Sequence, residues 1–185
     1  INKLPPASRL YYSAVTKELS VEKYWDIDPE HQDKKITTAE AREKFLHLFA
    51  SSVQRRLRSD VNIGTSLSGG LDSSSIIPFV TGLHYKPQAF TAICPGFDKD
   101  EHSYASEVVK QFGLPHHTST VTADDLVNDW EKFMYQQEEP VSSASAYAQY
   151  KVFELARQHN TTVLLDGQGA DETLAGYHKY YKWYW

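Results

Sequence analysis

The residues best suited to chemistry in this sequence form one short run, Ser68-Gly69-Gly70-Leu71-Asp72-Ser73-Ser74. It follows the apolar positions Val61, Ile63 and Leu67 and precedes Ser75, Ile76, Ile77 and Phe79, the pattern of a strand, a tight turn and a helix start. Such a junction turns backbone N–H groups and the positive end of a helix dipole, roughly half an elementary charge, toward whatever sits in front of it. Adjacent glycines permit a sharp turn and let anionic oxygens approach with no Cβ in the way. Ser68, Ser73 and Ser74 add hydroxyl donors, and Asp72 adds a hard oxygen ligand suited to Mg²⁺. The combination favours pyrophosphate binding; the plainer alternative is a helix start with a serine cap. No Gly-Lys-Ser/Thr follows the glycines, so the run is not a Walker A loop, and it is not a G-x-G-x-x-G dinucleotide loop either.

A second run, Asp166-Gly167-Gln168-Gly169-Ala170-Asp171-Glu172, repeats the layout after Val163-Leu164-Leu165 and before Leu174. Asp72 and Asp171 then become a pair of carboxylates able to hold Mg²⁺ on a polyphosphate, since that ion takes one or two carboxylates and fills its shell with water and phosphate oxygens. Acids complementing a helix N-terminus are the alternative for either loop alone.

The elements that must position these loops alternate in type. Strands are expected over Val61–Leu67, Gln88–Cys94, His116–Val121 and Thr161–Leu165. Helices are expected from Thr37 or Thr38 to about Arg58, over Asp72–Gly82 with a kink or early end at Pro78, over Ser103–Phe112, from Thr122, over Ser142–His159, and from about Ala170 to the end. Alternation at this spacing predicts an α/β fold, a parallel sheet flanked by helices, with functional loops at the carboxyl ends of the strands. The Pro-punctuated residues 1–36 read as an extended arm with short strands near Leu10–Ala14, preceding one domain over 37–185.

Composition narrows the function. A 185-residue chain, 41% hydrophobic and with formal net charge -5, has no basic stripe for nucleic acid, and Arg55, Arg56 and Arg58 read as a solvated helix end. Cys94 is the one cysteine, which excludes a disulfide framework and a multi-cysteine metal site; it reads as a small buried filler. No apolar run approaches a membrane span and no signal pattern opens the sequence, so a cytoplasmic location is expected. His116 and His117, adjacent on a strand, are expected to face opposite ways, one in and one out, with His159 and His178 on the surface. Ile1 and the aromatic end Trp183-Tyr184-Trp185 give the chain the look of a piece of a longer protein.

The first loop resembles the PP-loop of the ATP pyrophosphatases. With Glu138-Glu139-Pro140, then Gly167-Gln168-Gly169-Ala170-Asp171-Glu172 and Gly176-Tyr177, the chain is similar to the synthetase domain of glutamine-dependent asparagine synthetases and of the related β-lactam synthetases. Asp100-Glu101 with Tyr104-Ala105, and Phe112-Gly113-Leu114-Pro115-His116-His117, match in order between them; Leu4-Pro5-Pro6 and Tyr24-Trp25-Asp26 resemble the segment joining the family's two domains. The resemblance implies an adenine nucleotide alpha hydrolase-like fold, cut short at its C-terminal side, and ATP and Mg²⁺ as cofactors. It implies adenylation of the aspartate side chain and displacement of AMP by ammonia, the ammonia coming from a glutaminase domain, in a full-length protein that is a homodimer. By position, Ser68, Gly69, Gly70, Leu71, Asp72 and Ser73 would hold pyrophosphate, and Leu67 and Ile93 the adenosine. Asp166 and Gly167 would lie near the nucleotide, and Asp72 and Asp171 would bind Mg²⁺. Where asparagine synthetases carry a glutamate, this chain has Gln168, which cannot accept a proton; Asp166 or Glu139 is the substitute carboxylate its motifs offer. Neither the family's N-terminal cysteine nucleophile nor its C-terminal catalytic lysine has a counterpart here, so this stretch alone is expected to turn over nothing.

Overall fold

The structure, a computed structural model, describes residues 2–28, 30–96 and 101–185. Ile1 and Asp100, singled out above, lie outside them. Two compact units divide the chain, Ile1–Lys44 and Phe45–Trp185.

In the first unit, strands β1 (Ser8–Tyr12) and β2 (Leu19–Lys23) pair antiparallel, with Leu10 opposite Val21 and Tyr12 opposite Leu19. The expected arm is therefore a hairpin, extended by the Arg9–Glu22 ion pair at 2.9 Å. The alternation of Leu10 and Tyr12 with Arg9 and Tyr11 is short and weak, which is why one strand was legible and its partner was not. Helix α1 (Thr38–Arg56) opens on a reciprocal cap: the Glu40 amide donates to the Thr37 hydroxyl at 3.3 Å, and the Thr37 amide donates to the Glu40 carboxylate at 2.8 Å.

The second unit alternates strand and helix: β3 (Ile63–Ser66), α2 (Leu71–Gly82), β4 (Gln88–Ile93), α3 (His102–Phe112), β5 (His116–Thr120), α4 (Ala123–Gln137), α5 (Ser145–Gln158), β6 (Val163–Leu165), α6 (Ala170–Leu174) and α7 (Lys179–Tyr184). The four strands form a parallel sheet in the order β5-β4-β3-β6. Side chains alternate across it, so neighbouring residues serve different cores. Ala89 packs with Leu67, Ile77, Ala105 and Leu114, beneath α2 and α3. Phe90, the next residue, packs with Val152 and Ala156 of α5 on the opposite face. A third cluster joins Val53 of α1 to Ile63, Ile76, Val80 and Leu165. The parallel α/β fold expected from the alternation is what the chain adopts.

α2 runs through Pro78 to the expected end at Gly82, because burial of Ile76, Ile77 and Val80 outweighs the roughly 3 kcal/mol that a helical proline costs. Two other helices differ from expectation. α5 starts at Ser145, since the Ser143 hydroxyl accepts the Ser145 amide at 3.0 Å in a turn ahead of it. The last helix breaks in two at Ala175, which is left-handed at φ 57. The histidines also differ. His116 and His117 do take opposite faces, but both are half-buried: His116 Nε2 lies 2.9 Å from the Thr91 hydroxyl, and His117 stacks on His159 at 3.6 Å between centroids. His159 is thus part of the packing, not a surface residue.

Candidate active site

β3 lies inside the sheet with β4 on one side and β6 on the other, so the chain order reverses at β3 and β6. Loops leaving the carboxyl ends of two such strands flank one crevice. Those loops are the two runs picked out from the sequence.

The first loop leaves through Leu67, which is fully buried; its amide donates to the Phe90 carbonyl at 3.0 Å. Gly69 then turns at φ 95, and a Cβ there would lie 2.5 Å from the Glu101 carbonyl oxygen and 2.6 Å from the Ala105 nitrogen, so the turn needs glycine on both counts. The Gly70 amide donates to the Ser68 hydroxyl at 3.1 Å, and the hydroxyls of Ser68 and Ser73 are 3.0 Å apart, tying the loop to the first turn of α2. Among the described residues no side chain caps α2, which argues against the serine-cap alternative and leaves its first amides without a side-chain acceptor there. Ser74 does not join the donors; its Oγ is buried and has no hydrogen-bond partner among the described residues.

The second loop is pressed against the first. A Cβ on Gly167 would lie 2.8 Å from the Ser73 nitrogen and 2.9 Å from the Asp72 carbonyl carbon. Asp166 accepts a hydrogen bond from the Gln149 side chain of α5 at 3.3 Å. Gly169, at φ 95, directs the chain into α6, which carries Asp171 and Glu172; Tyr177 donates to Glu172 at 2.9 Å. The break after α6 brings Gly176 against the Asp171 carboxylate, where a side chain would collide.

Between the loops is a cleft of about 220 Å³. Ser68, Asp72 and Ser73 line it from the first loop, and Asp166, Gly167, Gln168, Gly169, Asp171, Glu172 and Tyr177 from the second loop and the residues that follow it. Its lining holds four carboxylates and, among the described residues, no lysine or arginine. Burial first, then the charges of Asp171 and Glu172, push the Asp72 carboxyl above the usual aspartate range. Such crowding suits a cation. Asp72 and Asp171 are the pair that could hold Mg²⁺, with phosphate oxygens and water completing its shell. When bound, that ion would supply charge neutralisation for a polyphosphate that four carboxylates would otherwise repel.

A second cleft of about 320 Å³ adjoins at Ser68, with Leu67, Thr91, Ala92 and Cys94 on one wall and Ala148, Gln149 and Val152 of α5 on the other. Its size and apolar floor suit a nucleoside. Cys94 is half-buried in this wall, not a core filler.

Of the expected residues, Ser68, Asp72, Ser73, Asp166, Gly167, Gln168 and Asp171 meet in the first cleft, and Leu67 joins Ser68 in the second. Gly69 and Gly70 shape the turn. Leu71 is 86% exposed on the outer side of α2, and Ile93 lines neither cleft; its carbonyl accepts the Val121 amide at 2.8 Å. Glu139 is not brought in. It lies past the end of α4, where Glu138 is left-handed at φ 59, in a separate groove with Met134 and Tyr135. Closeness in motif order is thus not matched by a place in either cleft. Gln149 was missed, because one glutamine on an amphipathic helix carries no signal.

Comparison with known proteins points to one family. Residues 44–185 match the family model described as asparagine synthase. The chain is 32% identical to a putative glutamine-hydrolysing asparagine synthetase 2 of Methanocaldococcus jannaschii over 180 residues, which are 95% of this chain and 34% of that protein. It is 32% identical to the glutamine-hydrolysing asparagine synthetase 1 of Bacillus subtilis over 132 residues, 70% of this chain and 20% of that one. The chain thus spans about a third of the first of these relatives and a fifth of the second. Among solved structures, an NH3-dependent NAD synthetase from Campylobacter jejuni aligns with TM-score 0.49 and 16% identity over 73% of this chain and 60% of that one.

Proposed function

This chain belongs to the asparagine synthase family, and on that premise we propose that it is the ATP-binding part of an AMP-forming, amide-forming ligase. A substrate carboxylate, that of aspartate in the first reading, attacks the α-phosphorus of ATP; pyrophosphate leaves, and ammonia then displaces AMP from the acyl carbon. The observation that carries the reading is the contact of two glycine loops at the point where strand order reverses, one with an uncapped helix start and both with carboxylates. Ser68, Ser73 and the first amides of α2 bind the pyrophosphate, and the second cleft takes the adenosine. The protein's part is placement and charge stabilisation.

In this reading residues 1–36 form the arm between domains and 37–185 the ATP-binding domain, with ammonia delivered by a glutaminase domain in the full-length protein. Asp166 is the carboxylate left at the rim to act as base, because Gln168 lines the same cleft but cannot take a proton. That glutamine also supports a second reading, in which adenylation is kept and the acceptor is a carboxylate other than aspartate.

Exchange of radiolabelled pyrophosphate into ATP by the full-length protein decides between them. Exchange that requires aspartate is the expected result; exchange with another carboxylate selects the second reading. Binding of Mg-ATP without exchange for any carboxylate would leave a nucleotide-binding module and refute both.

A further inference from the structure

Two buried threonines stand on the strands beside the two loops, and Thr91 also lines the second cleft. The Thr65 hydroxyl, on β3, donates to the carbonyl of Leu165 at 3.2 Å, and the Thr91 hydroxyl, on β4, donates to the carbonyl of Leu67 at 2.6 Å. Thr65 is 0% exposed and Thr91 2%. In each case the acceptor is the last residue before a site loop, Leu165 before Asp166 and Leu67 before Ser68. In each case the donor stands on the neighbouring parallel strand.

The direction of the second bond is enforced. A threonine hydroxyl has one proton, and a carbonyl oxygen only accepts. With its proton committed to Leu67, Thr91 must accept from His116 Nε2, 2.9 Å away. A chain of donors therefore runs from edge strand β5 across β4 to the strand that feeds the first loop. Nε2 carries hydrogen both in this neutral tautomer and in the imidazolium, so the direction survives titration of the ring. β-Branching further restricts the hydroxyl's orientation.

Rotation of the Leu67–Ser68 peptide would swing Ser68 and Gly69, and Gly69 has no slack against the start of α3. We propose that Thr65 and Thr91 are positioning residues for the nucleotide cleft, each setting the peptide from which a loop departs, so that Ser68, Asp72 and Ser73 stay opposed to Asp166 and Asp171. The proposal rests on the nucleotide reading of that cleft.

The test measures Mg-ATP affinity by titration calorimetry, and the thermal midpoint, on the full-length protein carrying Thr65→Val, Thr91→Val, Thr65→Ser, Thr91→Ser or Phe133→Leu. Phe133 is buried between α4 and α5, outside both clefts, and serves as a reference for plain destabilisation. Each valine variant should weaken Mg-ATP about tenfold, a shift of about 1.4 kcal/mol. The serine variants, which keep the hydroxyl, should bind nearly as wild type does, and Phe133→Leu should lose thermal stability with affinity unchanged. Wild-type affinity in either folded valine variant would overturn the proposal for that residue, and so would loss of affinity in Phe133→Leu in step with its midpoint. Wild-type protein that binds no Mg-ATP would instead refute the nucleotide reading itself, a result distinct from intact binding in the valine variants.

Discussion

Gly69→Ala is the substitution whose effect the geometry specifies most closely. Two costs add. Alanine at φ 95 adopts a backbone conformation that L side chains disfavour, worth about 1–2 kcal/mol. Its Cβ would also sit 2.5 Å and 2.6 Å from backbone atoms of Glu101 and Ala105. Neither is the end of a flexible side chain, so the loop or α3 must move, as in overpacked cores, for about 1–3 kcal/mol more. The expected total is about 3 kcal/mol, a large share of the stability of an ordinary domain. Gly113→Ala separates the terms: Gly113 is left-handed at φ 60, but nothing lies within 4 Å of its would-be Cβ, so only the backbone cost applies. In urea, with a slope of about 2 kcal/mol per molar, the Gly69 variant should unfold roughly 1 M earlier than the Gly113 variant at unchanged slope. Displacement of the loop should also reduce Mg-ATP binding in Gly69→Ala and leave it intact in Gly113→Ala. Equal midpoints for the two variants would refute the close approach of the first loop to α3.

Three further outcomes follow. Asp72→Asn should raise the thermal midpoint of the ligand-free protein at neutral pH while weakening Mg-ATP binding, because Asp72 is held above its ordinary pKa by burial and by Asp171 and Glu172. A raised folded pKa makes the ionised form destabilising, so the gain should be absent below the ordinary aspartate range and appear as pH rises through the raised value; an equal gain at low pH would contradict it. Tyr147→Phe should cost about 1.5 kcal/mol at neutral pH, since the buried Tyr147 hydroxyl donates to the Asp129 carboxylate at 2.7 Å. Asp129 is held low, first by Tyr147 and then by Lys151, so this contribution is present above the ordinary aspartate pKa and should fade as pH drops through the depressed one; pH-dependent denaturation of both proteins checks it. Chelation of divalent ions should abolish nucleotide binding, and calorimetry with ATP plus chelator, showing affinity unchanged from Mg-ATP, would remove Asp72 and Asp171 from the metal role.

Much of this protein was legible in its sequence because the signals are local. Glycine spacing, a serine-rich helix start and apolar runs of strand length specify a loop, a turn and a helix within a dozen residues, and that was enough for the two loops, the parallel α/β fold and the carboxylates Asp72 and Asp171. The capping box that starts α4 at Thr122 is equally local and is observed, with Thr122 and Asp125 bonded reciprocally. What only the tertiary structure decided involves partners distant in sequence. Strand order β5-β4-β3-β6 presses Gly167 onto the start of α2; no spacing rule states which strands will be neighbours. Gln149 reaches Asp166 only because α5 packs on the sheet face that holds Phe90. Glu139 is close to the site in motif order, yet it lines a separate groove past the end of α4. Thr65 and Thr91 look like ordinary strand threonines until their acceptors, on other strands, prove to be the residues from which the loops depart. Local sequence sets what each loop can bind. Sheet order and helix packing set what each loop faces, because they bring together groups that the chain keeps far apart.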